Sequence, residues 1–486
     1  MDRKAGVLMP IFSLPSKQYV GDFGKEAYKF VDIIKKAKFK VWQILPLNPI
    51  GYGNSPYQPY SSYAGEEIYI SIEKLKEMQL VENIERIDYK EEKVDYEKAR
   101  IFKQKYFKEA FSTMNEKGIF KDEFLKFKEE NKWAKTYATF ITLKKNNNLK
   151  CWIEWNEQDK KWIDTKEELN NLKDSIEYEN FVQFLFYKQW FELKKYANDN
   201  GIEILGDIPI YVGIDSVDVW ENKENFLLDE KGNPTFIAGV PPDYFSKTGQ
   251  RWGNPIYNWD YLEKDGFKFW IDRLNWNKKI YDIIRIDHFR AFDTYWKIPS
   301  SCETAIEGEW VEAPGYALFD KIFETMPDIK IVVEDLGELR PQVLELRDYY
   351  KLSGMKILQF ELNPKETNND FKETEKTILY TGTHDNQTLK GAYNSFDKED
   401  QENIKKMFDT YDGDNIIDKM IYRCLDSVSN LVVIPIQDIL NLDDEARINT
   451  PSTIGSPNWQ WKLNNYDLLN NKIEKYNNWI LKTNRY

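Results

Sequence analysis

Eight short apolar runs recur along the chain, helical patterns separate them, and acidic residues close four of the runs. These observations predict an α/β fold, a (β/α)8 TIM barrel with large insertions. The rival is an open doubly wound sheet, which usually carries a Gly-rich phosphate turn after its first strand. Here Phe12-Ser13-Leu14-Pro15 stands in that place.

Ala5-Gly6-Val7-Leu8-Met9-Pro10 is the first predicted strand. Residues 24–38 follow with Ala27, Phe30, Val31, Ile34 and Ala37 on one face, a helix. Val41 to Leu47 is the second strand, and strand–helix–strand at this spacing implies parallel pairing. The segment from Asn48 to Tyr63 reads as a loop from its Pro and Gly. Its tyrosines Tyr52, Tyr57, Tyr60 and Tyr63 are hard to explain as core, which points to ligand-facing roles for some of them.

Residues 66–177 are rich in Lys, Glu and Asn, with helical periodicity at 97–114 and 121–143. They predict a mostly helical insertion subdomain between strands two and three, its charge a solvated face. A helix over 180–198 ends near Gly201. The third strand, Ile202 to Val212, carries Asp207. Residues 213–265 form a second insertion, and 239–255 within it is expected to be a structured loop lying over the site as a lid. A helix near 265–280 leads into Ile283-Ile284-Arg285-Ile286-Asp287-His288-Phe289-Arg290. The last four strands begin at Ile329, Met355, Thr377 and Asn430. Residues 1–486 are thus expected to form one catalytic barrel with these insertions.

Composition narrows the class. A net charge of −13 without a basic block argues against nucleic acid. Aromatic residues make up 15% of the chain, with 16 Trp and 30 Tyr; beside Asp and Asn these suit sugar binding, rings under the apolar sugar face and polar groups on its hydroxyls. Three scattered cysteines, Cys151, Cys302 and Cys424, form neither a disulfide framework nor a metal pair. The two histidines, His288 and His384, are too few for a His-rich zinc site. No cofactor motif, signal peptide or membrane span is legible. A cytoplasmic enzyme without cofactor or metal is expected.

In a (β/α)8 barrel the active site lies at the C-terminal ends of the strands. Asp207, Asp287, Glu334 and Asp385 fall there, on strands three, four, five and seven. Arg285 and Asp287 alternate along one strand and so share a face, and the guanidinium favours an ionised carboxylate, as a nucleophile requires. Each acid taken alone has a plainer account as a helix cap or a structural ion pair. Several converging on one mouth push their proton affinities apart, so one stays protonated while another is charged. Glycoside chemistry has that requirement. The residues alone do not choose between Glu334 and Asp335.

At these residues the chain resembles the 4-α-glucanotransferases of glycoside hydrolase family 77, the amylomaltases or disproportionating enzymes. The likeness runs nearly end to end. It rests on the segment from Gly51 to Tyr57, Gly206-Asp207-Ile208-Pro209, residues 239–255, Arg285 to Arg290, Glu334-Asp335-Leu336-Gly337, and Gly382-Thr383-His384-Asp385-Asn386. The resemblance implies Asp287 as nucleophile of a covalent glycosyl-enzyme. It implies Glu334 as general acid/base and Asp385 as transition-state stabiliser. It implies substrate contacts at Arg285, His384, Asp207, Tyr57 and Trp252, with Ser55 and Asn386 in the same motifs. The implied reaction moves α-1,4-glucan segments between maltodextrins by a retaining double displacement, with the two key carboxyls about 5–5.5 Å apart. An α-glucan hydrolase of amylase type needs the same acids; an inactive glucan-binding protein should have lost one. The chain departs from the family at Lys247, where many relatives carry an acid, at Ser452, usually Gly, and at Ala64-Gly65-Glu66-Glu67. None of these is one of the implied catalytic acids.

Overall fold

The computed structural model describes residues 3–242, 246–365 and 372–486. Asp243, Tyr244 and Phe245 of the expected lid, and the side chain of Tyr52, lie outside the described residues. The strands in chain order are β1 (Lys4–Leu8), β2 (Val41–Gln43), β3 (Glu203–Ile208), β4 (Phe236–Val240), β5 (Gln250–Pro255) and β6 (Ile283–Ile286). They continue with β7 (Thr294–Pro299), β8 (Glu309–Glu312), β9 (Ile331–Val333), β10 (Met355–Ile357), β11 (Ile378–Tyr380) and β12 (Leu431–Pro435).

Eight of them form one parallel sheet in the order β10-β11-β12-β1-β2-β3-β6-β9. A parallel bridge between Val332 and Ser353, just before β10, brings the two ends together, and the sheet closes as a (β/α)8 barrel. Alternation along the strands sorts their side chains into two layers. Leu8, Val41, Leu205, Ile283, Val332, Met355 and Tyr380 belong to a cluster filling the inside. Their neighbours Val7, Trp42, Ile204, Ile284 and Val333 pack outward against the helices. Gly206 has no side chain for a packing reason: a Cβ there would come within 2.1 Å of the Tyr281 ring.

The helix expected over 24–38 is Lys25–Lys36, and the one near 265–280 is Lys268–Ile280. Between β2 and β3 the periodic stretch 121–143 is broken at Asn131 into helices Lys121–Glu130 and Lys132–Asn146. Helix Lys173–Asp199 is longer than its sequence pattern and runs through the expected boundary at 177. Its first half packs on the preceding helices, with the Phe181 and Phe124 rings 5.6 Å apart. Its second half packs on the barrel through Trp190, 5.4 Å from the Phe23 ring. One continuous helix therefore joins the insertion to the barrel wall.

Where a structured loop was expected over 239–255, the described residues include strand at both ends of the range. β4 and β5 pair as an antiparallel hairpin, joined by β7 and β8 in a four-stranded sheet of order β5-β4-β7-β8. This second sheet draws β7 and β8 from beyond residue 265. The sequence concealed it because Gly239 and Gly249 read as breakers. Gly239 lies in a strand where a Cβ would meet the Gln250 carbonyl at 2.2 Å, and Gly249 adopts φ +70° at the turn. Among the described residues no helix is long and apolar enough to cross a membrane.

Candidate active site

The strand register sets the first contact. Asp207 in β3 pairs in register with Arg285 in β6. Arg285 Nη1 donates to both carboxylate oxygens of Asp207 at 2.7 Å and lies 2.9 Å from Asp287 Oδ1. Its Nε faces Met355 Sδ at 3.4 Å. Asp207 is wholly buried and also accepts from the Tyr57 hydroxyl at 2.7 Å. Arg285 and Asp287 do turn to the same side, as strand alternation requires.

Asp287 follows β6, and its N–H continues the ladder to Ile208 O at 3.0 Å. The next residue, His288, takes the left-handed conformation, φ 53° and ψ 50°. That turn aims its N–H at Glu334 Oε2, 2.8 Å away, while Leu336 N–H donates to Glu334 Oε1 at 3.0 Å. The neighbouring acid is engaged elsewhere: Asp335 is buried, accepts from Met355 N at 2.7 Å and pairs with Arg347 Nη1 at 2.7 Å. The two adjacent acids are therefore placed differently, with Glu334 bonded to the N–H next to Asp287 and Asp335 tying β9 to β10.

Asp385 arrives differently. β11 ends at Tyr380, and a turn carries the chain on. In that turn Asn386 Oδ1 accepts from Thr383 N and Oγ1 at 2.9 and 2.8 Å. Asp385 Oδ1 accepts from Asn449 Nδ2 at 2.6 Å, its carbonyl accepts from Arg447 Nη2 at 2.7 Å, and Oδ2 lies 3.4 Å from His384 Nε2. His384 is buried with its ring stacked on Tyr57 at 5.1 Å and beside Trp459 at 5.8 Å. Trp252 of β5 meets the His288 ring edge-on at 4.8 Å. Ser55 Oγ accepts from Tyr57 N at 3.3 Å and so shapes the loop that delivers Tyr57.

Asn449, Arg447 and Trp459 escaped the sequence reading. Asn449 stood in a segment noted only for Ser452; no local pattern marked Arg447 or Trp459, because each acts across the barrel mouth.

The acids differ in proton affinity. Burial, and then the adjacent negative charge of Asp287, push Glu334 up to about 7. Burial also raises Asp287, but Arg285 opposes that rise. The Asp287 side chain stays 32% exposed to the mouth and has a guanidinium contact, whereas on Glu334 burial and the Asp287 charge outweigh two backbone N–H donors that favour its ionised form. The shared proton therefore belongs on Glu334 and the charge on Asp287. Burial pushes Asp385 up too, yet His384, Asn449 and Arg285 outweigh it and bring Asp385 down to about 2. Burial and Arg290 lower His288 to about 3, so this imidazole is neutral. One neutral acid, one carboxylate against a guanidinium and one permanently charged carboxylate can together protonate a leaving oxygen, attack an acetal carbon and stabilise positive charge.

Comparison with known proteins gives a consistent result. A family model described as 4-alpha-glucanotransferase matches residues 9–468. A 4-alpha-glucanotransferase of Streptococcus pneumoniae is 42% identical over 472 residues, covering 95% of this chain and 93% of the relative. One from Thermus thermophilus is 40% identical over 479 residues, covering 95% of each. The solved amylomaltase from Streptococcus agalactiae, in complex with acarbose, superposes with a TM-score of 0.94 at 36% identity over 99% of both chains.

Proposed function

The chain belongs to the 4-alpha-glucanotransferases of glycoside hydrolase family 77 and transfers glucan segments, and we propose that it does so by a retaining double displacement at Asp287 and Glu334. In this reading Asp287 attacks the anomeric carbon of a maltodextrin while Glu334 protonates the departing glycosidic oxygen. The departing glucan leaves. Glu334, now ionised, takes the proton of an acceptor sugar hydroxyl, which attacks the covalent intermediate with a second inversion. Asp385, charged at every working pH, stabilises the oxocarbenium-like transition state and binds ring hydroxyls. Arg285 keeps Asp287 ionised, and Tyr57, Asp207, His384 and Trp252 shape the sugar subsite, with Ser55 and Asn386 holding its loops.

One observation carries this reading: a buried carboxyl bonded to the backbone N–H next to a carboxylate paired with Arg285, an arrangement that pushes Glu334 up to about 7. The remaining assignments are inferences of the same kind. The donors and acceptors are maltodextrins, the setting is cytoplasmic, and neither cofactor nor metal takes part. The β4 and β5 strands, with Trp252 on β5, are the part of the 213–265 insertion that screens the intermediate from water, backed by β7 and β8 in the same sheet. Residues 66–177 brace the Tyr57 loop.

The test is incubation with maltotriose, following glucose, chain length and total reducing ends. Glucose plus longer chains at constant reducing ends is the expected outcome. Rising reducing ends without longer chains would mean hydrolysis and would sink the water-screening role.

A further inference from the structure

The loop that delivers Tyr57 is closed at its neck by one carboxylate. Glu66 is 1% exposed, and its N–H donates to Leu47 O at 2.8 Å. Its Oε2 accepts from Ile50 N at 2.6 Å, at the loop's start, and its Oε1 from Ile68 N at 3.4 Å, just past the loop's end. Asn48 Nδ2 adds a bond to Ala64 O at 3.0 Å across the same neck. The residue facing Glu66 comes from the helical insertion. Arg100, on helix Tyr96–Lys117, donates Nη1 to Oε1 at 2.8 Å and Nη2 to Oε2 at 2.9 Å, a parallel fork. Glu67 Oε1 lies 3.4 Å from the same Nη1.

From the tip the contacts run inward without a break. Tyr57 Oη bonds Asp207, Asp207 is gripped by Arg285, and Arg285 pairs with Asp287. Glu66 lies in the Ala64–Glu67 segment, where the sequence reading places a departure from the family's usual form.

We infer that Arg100 and Glu66 are positioning residues, a clamp by which the helical insertion fixes the loop carrying Tyr57 and so the geometry around Asp207, Arg285 and Asp287. A forked ion pair on a buried carboxylate suits this task because it fixes direction as well as distance, which a lone apolar contact does not. The clamp rests on the reading of Tyr57 as part of the reacting site.

The experiment is a double-mutant cycle on maltotriose disproportionation in the full chain. Arg100→Met is expected to raise KM and lower kcat together, reducing kcat/KM about tenfold, within what a displacement of about 1 Å can cost. Arg100→Lys should restore part of that loss. In a Tyr57→Ala background, Arg100→Met should change kcat/KM by less than about twofold, because the loop no longer carries the group it was positioning. The same tenfold loss in both backgrounds would overturn the clamp and leave Arg100 a general stability residue. If Tyr57→Ala alone left kcat/KM intact, the reading of Tyr57 would fall first and the clamp with it. Should Arg100→Met not fold, Glu66→Gln/Arg100→Met strands no buried charge and runs the same cycle under the same criteria.

Discussion

The backbone N–H of His288 donates to Oε2 of Glu334 at 2.8 Å, and His288 directly follows Asp287. The two central carboxyls are therefore fixed to each other through one residue in a left-handed turn.

Glu334→Gln should lower kcat on maltodextrins by about 10²–10⁴-fold, the usual worth of a general acid. With an α-maltosyl fluoride donor, whose leaving group needs no proton, the first step should lose far less. Equal losses with both donors, in single-turnover assays, would remove Glu334 from the role of acid.

The pH dependence has a definite sign. Glu334 must be protonated to serve as acid, and it titrates at about 7. A rate profile of kcat/KM should therefore fall as pH rises through about 7. Stability should follow the same group: its proton is held more tightly folded than unfolded, so ionising it as pH rises from its ordinary range through about 7 weakens the fold. Glu334→Gln should melt higher than the parent at pH 8, and the difference should vanish toward pH 4.5. A constant difference across that range would contradict the assignment.

Asn449→Ala removes the 2.6 Å bond to Asp385 Oδ1. With that support gone, Asp385 should bind protons more readily than the about 2 it now shows, and kcat should fall by about tenfold, a lost charged hydrogen bond of about 1.5–3 kcal/mol being only partly felt in the transition state. Melting should shift by only a few degrees. Loss of maltodextrin binding without loss of kcat would assign Asn449 to substrate instead.

Trp252→Ala opens the contact between β5 and His288. Water should then compete better for the intermediate, so the ratio of transfer to hydrolysis should drop while total turnover changes less. Product analysis with maltotriose reads both, and an unchanged ratio would exclude this sheet from screening water.

Much of this protein is decided locally. The alternation of apolar runs and amphipathic helices fixes eight strands and their parallel direction, since each strand must bury two faces. Acids at the ends of those runs, with Arg285 two residues before Asp287, mark the candidate site, because strand periodicity and barrel topology carry them to one mouth. Other features were settled only when distant segments met. The sheet of β4, β5, β7 and β8 depends on pairing across intervening barrel elements, and its glycines disguised it as loop. Glu334 differs from Asp335 only through what each side chain reaches, His288 N in one case and Arg347 in the other. Asn449 reaches Asp385, and Arg100 reaches Glu66, across 64 and 34 residues of sequence. Periodicity reports which face of an element is buried; which partner waits on that face is set by packing, and packing belongs to the folded chain.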